Sequence, residues 1–151
     1  MIYHHTQRGR LLLILAVVGA VVMAGVLVAA RRPVVLLALL PIVAVAAVFS
    51  RMTIELDETE LRHHFGLGVW LKRVPLSDVV DATRATSHWL EGWGVRITPR
   101  GMLYNVAGTD AVEIRLRSGR RFRLGTDEAD VLLAALRQAG VPTALTAQDS
   151  T

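Results

Sequence analysis

The chain has 151 residues, of which 52% are hydrophobic and only 5% aromatic, and its formal net charge is +4. Four of its seventeen basic residues (Arg8, Arg10, Arg31, Arg32) lie in residues 1–50, which hold no acid; thirteen basic and thirteen acidic residues follow. The neutral remainder excludes the basic folded domain that binds nucleic acid, and the lack of cysteine excludes disulfides, thiolate zinc sites and cysteine nucleophiles.

Leu11–Ala30 carries no polar side chain, and a helix of about twenty residues spans the ~30 Å hydrocarbon core of a bilayer. Arg31-Arg32-Pro33 interrupts it, and Val34–Phe49 is apolar again. Pro33 suits a first helical turn, and Pro41 should kink the helix that follows. The pattern predicts two antiparallel transmembrane helices, 11–30 and 34–50, joined by a three-residue connector. A cleaved signal peptide ending at Val28-Ala29-Ala30 is the rival reading, but its apolar core would run only about 7–15 residues. Arg8, Arg10, Arg51 and Arg62 outnumber Arg31 and Arg32 at the opposite ends. The positive-inside rule then makes this a multi-pass plasma-membrane protein with both termini cytoplasmic. Ala16, Ala20 and Ala24 form a small-residue stripe. It can receive the second helix of the same chain, or a second copy in a homo-oligomer.

From Arg51 the apolar residues alternate in short runs separated by turn residues, the signature of strands. Met52–Leu56, Leu61–Phe65 and Val69–Val74 are the first three, followed by a short turn at Leu76–Val80 and a strand through Arg84. Trp93–Ile97 and Met102–Val106 flank the turn Pro99-Arg100-Gly101. Ala111–Leu124 is the clearest hairpin. A three-residue loop, Arg117-Ser118-Gly119 with Gly119 left-handed, puts Val112, Ile114, Phe122 and Leu124 on one face. It pairs Ile114 with Phe122, Val112 with Leu124 and Glu113 with Arg123. The closing helix begins near Thr126 or Asp127 and ends before Gly140 and Pro142, with Leu132, Leu133 and Leu136 as its apolar stripe. Residues 141–151 read as a flexible tail.

About seven strands and one closing helix resemble a known layout. Gly92-Trp93-Gly94-Val95-Arg96, Tyr104-Asn105-Val106, Ala111–Arg117 and Gly125-Thr126-Asp127 are similar to bacterial pleckstrin-homology-like membrane proteins, in which one or two transmembrane helices precede the domain. Pro75-Leu76-Ser77-Asp78-Val79 resembles that family's short element after the third strand. The resemblance implies a PH-like domain over 51–140, a bent antiparallel sheet or partly open barrel plugged by its C-terminal helix. It implies no phosphoinositide site, because the matching first loop, Asp57-Glu58-Thr59-Glu60, is acidic.

No phosphate-binding loop or nucleophile elbow occurs, and His63 and His64 are adjacent, so on a strand they cannot chelate one ion. No enzyme, metal or cofactor is expected. Two features stand out. Arg115, Arg117, Arg121 and Arg123 would share the outward face of the hairpin, with Arg120 at its tip. Trp89 lies in the Ser87–Gly92 connection, where it could contact a partner, whereas Trp93 alternates with core positions. The expected function is a membrane-anchored, non-catalytic interaction module that docks a membrane or envelope protein. The alternative is a sensor of anionic lipid head groups that uses the arginine face.

Overall fold

The computed structural model describes residues 2–31, 37, 39–86, 94–99 and 101–144, the side chain of Leu12 excepted. Among them two sheets close on one apolar core. The first is a four-stranded antiparallel sheet of β1 (Tyr3–Arg8), β2 (Arg51–Leu56), β3 (Glu60–Phe65) and β4 (Val69–Pro75), in that order. Alternation explains which face turns inward: Met52, Ile54 and Leu56 of β2 and Leu61 and Phe65 of β3 are buried. The second sheet contains β5 (Val79–Thr86), β6 (Gly94–Thr98), β7 (Gly101–Asn105), β8 (Asp110–Leu116), β9 (Arg121–Gly125) and the short β10 (Thr143–Ala144). Its order is β10-β5-β8-β9-β7-β6.

Local chemistry sets the joints. The Asp57 carboxylate accepts from the backbone N–H groups of Thr59 and Glu60 and closes the β2–β3 turn; those bonds hold its pKa down at about 2. A single 3₁₀ turn, Leu76–Asp78, carries the chain from the first sheet to the second. The β8–β9 hairpin adopts the register that side-chain parity requires, with Val112 opposite Leu124, Ile114 opposite Phe122 and Glu113 opposite Arg123. Its Gly119 has φ +79°, the left-handed turn position. Gly101 (φ +105°) opens β7 against β9, where a Cβ would overlap the Arg121 carbonyl oxygen.

The C-terminal helix α3 (Ala129–Gln138) lies on β5 and β8 and buries Leu132, Leu133 and Leu136. It starts two residues later than Asp127 and three later than Thr126. The Thr126 hydroxyl accepts from the Glu128 N–H instead. Asp130 lies in its first turn and Arg137 in its last, each placed to suit the helix dipole.

Residues 3–8, for which the sequence pattern predicts no strand, form β1. Tyr3 and Gln7 point inward, and the Gln7 amide donates to the Ala107 carbonyl at 2.9 Å. His5 lies between Asp127 (2.7 Å) and Glu128 (3.2 Å), which ties the first strand to the start of α3.

Two further helices are apolar: α1 (Arg10–Ala29) and α2 (Leu39–Phe49). They correct the expectation of a transmembrane hairpin over 11–30 and 34–50. Among the described residues no helix is long and apolar enough to cross a membrane. The eleven residues of α2 cover about 16 Å at 1.5 Å per residue, half of the hydrocarbon core. With no span found, the integral-membrane assignment, the multi-pass plasma-membrane location and the charge-based topology lose their basis. Arg32 and Pro33 of the connector lie outside the described residues.

The PH-like expectation is corrected as well. A bent antiparallel sheet of about seven strands would keep every neighbour antiparallel. Here β7 runs parallel to β9, and β10 runs parallel to β5. The N-terminal strand further enlarges the first sheet. The architecture is α+β, with two sheets and three helices among the described residues.

Candidate functional site

The hairpin that carries the sequence-predicted arginines is present, but it does not present them as one face. Arg115 is paired with Asp81 on β5. Arg117 donates from Nε to the Ser77 carbonyl at 2.6 Å. Arg121 is exposed and lies 3.6 Å from Glu113. Arg123 is 1% exposed, and its Nη2 donates to the Thr98 hydroxyl at 3.1 Å. Parity alone places Arg123 outward beside Arg121. It is covered because β9 is an interior strand: β7 pairs with it in parallel, and Leu103 and Glu113 flank Arg123 in the register. Trp89 and Trp93 lie outside the described residues.

Where the two sheets meet, a cavity of about 190 Å³ opens under the tip of this hairpin. Its floor comes from both sheets. His63 of β3 lies edge-on to Tyr104 of β7, with ring centroids 4.5 Å apart, and stacks on Phe122 of β9 at 5.8 Å. Met102 and Leu116 complete the apolar lining on the side of the second sheet, and Val74 and Pro75 on the side of the first. The mouth carries Lys72 and Arg73 from the edge strand β4 and Arg120 and Arg121 from the start of β9, against a single acid, Asp78.

Each part has a local cause. His63 alternates with Leu61 and Phe65 and so points into the core, where it is 0% exposed. Neither of its ring nitrogens has a hydrogen-bond partner among the described residues. Burial, helped by the nearby charge of Lys72 and by His64, pushes its pKa down to about 4, so the ring is neutral at pH 7. A register shift between His63 and Phe65 lets β4 gain a residue around Trp70, whose φ is +59°. Bulges of this kind re-aim the side chains that follow. After it, Lys72 stands directly opposite His63.

Sequence reasoning picked out Arg121 and the hairpin tip but missed Lys72, Arg73, His63 and Tyr104. The alternation of β3 signals that His63 faces inward. Nothing in the sequence brings β7 and β9 over it.

The second surface feature is the pair α1 and α2, which pack on each other. Along α1 the half-covered positions are Leu13, Ala16, Ala20, Ala24 and Leu27, the stripe that contains the three alanines. Elsewhere the pair is exposed: Val21 is 66% exposed, Val22 62%, Leu40 65% and Ile42 59%. No described residue from Leu11 to Ala30 or from Leu39 to Ser50 is charged.

Comparison with protein-family models, with curated proteins and with solved structures gives no match for this chain.

Proposed function

We propose that the chain is a non-catalytic interaction module that docks a membrane or envelope protein through the apolar outer surface of α1 and α2. The observation that carries this reading is the continuous exposure of Ile14, Leu15, Val18, Val21, Val22 and Ile42 on a helix pair whose small-residue stripe is half-covered. The largest apolar patch of a typical soluble monomer is about 300–600 Å², and larger ones mark places where something else binds. Covering each such side chain contributes roughly 1.5–3 kcal/mol, so a handful suffices to hold a partner. A partner with apolar helices of its own matches this surface, which offers no charge to a polar one. Head-group sensing by the hairpin arginines has less to support it. Arg115 and Arg117 are engaged within the chain, and Arg123 is buried.

Photocrosslinking in the native cell tests the docking proposal. A crosslinking side chain at Val22 or Ile42 should yield a discrete protein adduct, whereas one at Arg137 on α3 should not. Adducts from all three positions alike, or from the helix positions to lipid alone, would contradict docking on a protein.

A further inference from the structure

The cavity between the sheets has a polarity that the docking proposal does not use. Its mouth is cationic, and among the described residues Lys72 and Arg73 make no ion pair, while Arg120 bonds only to the Ser118 hydroxyl at 3.4 Å. The floor is largely apolar and aromatic, with two polar groups, the His63 imidazole and the Tyr104 hydroxyl. A neutral imidazole has one nitrogen that donates and one that accepts, and a buried polar group without a partner is unfavourable. A ligand that fills this space therefore needs three things in order: a negative group outermost, an apolar body within, and a hydrogen-bonding group at its inner end.

We propose that this cavity binds a small soluble phosphate monoester of a hydroxylated aromatic or similar apolar alcohol. Lys72, Arg73, Arg120 and Arg121 hold the phosphate at the mouth. Tyr104 and Phe122 cover the body, and His63 meets the inner hydroxyl. A dianion suits this mouth better than a carboxylate does, because Lys72, Arg73 and Arg120 make no ion pair among the described residues and Arg121 faces only Glu113 at 3.6 Å, and arginine forks take phosphate oxygens two at a time. The size also fits. At about 190 Å³ the cavity lies below the roughly 300–1,000 Å³ of sites for drug-sized ligands, so the ligand is small. The order of polarity argues against a bilayer lipid, whose head group would have to enter first and lie on the apolar floor.

Titration of the full-length chain in a non-ionic detergent, followed by NMR of the His63 and Tyr104 ring signals, tests this. Phenyl phosphate should shift both rings. Inorganic phosphate and benzyl alcohol, which each lack one half of the ligand, should bind at least about tenfold more weakly. Lys72→Ala combined with Arg120→Ala should weaken phenyl phosphate about tenfold or more, and both side chains are exposed, so the fold tolerates their loss. Arg137→Ala should change nothing. 4-Hydroxyphenyl phosphate should bind more tightly than phenyl phosphate, and His63→Phe should remove that advantage. Equal binding of inorganic and phenyl phosphate, or no loss in the double variant, would overturn the proposal. So would displacement of phenyl phosphate by vesicles of anionic lipid, because that would place a head group in the cavity.

Discussion

A histidine on an alternating strand reads as a surface or half-covered side chain, and His64 fits that reading. His63 does not, since it is fully buried beneath Tyr104 and Phe122. The consequence is a pH dependence with a definite sign. The folded pKa is lowered to about 4, so between that value and the ordinary 6.5 the unfolded chain binds more protons than the folded one. Stability from neutral His63 is therefore fully present above about pH 6.5 and falls as the pH drops toward 4. The loss is at most on the order of 3 kcal/mol. Urea unfolding at pH 7 and pH 4.5 should show this fall, and His63→Phe should flatten it. A variant with the wild-type slope would mean that other groups carry the dependence. Arg123 teaches the same lesson from the other side. Its place on the hairpin is legible from parity. Its burial comes from β7, which approaches from about twenty residues away and carries no sequence signal for parallel pairing.

Among the elements, β2, β3, β4, the β8–β9 hairpin and α3 were legible because each has an apolar face of regular period bounded by turn residues or caps. The strand β1 was not. Two of its inward residues are Tyr3 and Gln7, and a glutamine that bonds the Ala107 carbonyl looks polar in any pattern of hydrophobicity. The apolar runs at 11–30 and 34–50 are legible as helical from composition, but among the described residues no helix is long and apolar enough to cross a membrane. The element whose role is sharpest is α3. Leu136 is 0% exposed, so Leu136→Ala should cost about 2–5 kcal/mol through the cavity it leaves. Arg121→Ala, on an exposed side chain at the hairpin, should change stability by about half a kcal/mol or less. Thermal melts of both variants check the contrast. A silent Leu136→Ala would show that α3 does not close the core.

For the whole molecule, the two sheets place unlike surfaces on one chain: an apolar helical pair, and a cationic cavity beneath the β8–β9 tip. The first was plain in composition, because only apolar residues fill 11–30. The second was half visible, as a cluster of arginines with no sign of the cavity they border, because Tyr104 reaches the paired His63 and Lys72 only through contact between the sheets. The two surfaces make separable claims. Docking through the helical pair is tested most directly by co-purification. The full-length chain should be recovered from native cells with its partner protein as wild type, as Val18→Asp with Val22→Asp, and as Lys72→Ala with Arg120→Ala. All four positions are exposed, so the sheets should melt alike in the three forms. The paired aspartates on α1 should remove the partner, whereas the cavity variant should retain it. A partner that stays with the aspartate variant, or leaves with the cavity variant, would contradict docking through α1 and α2.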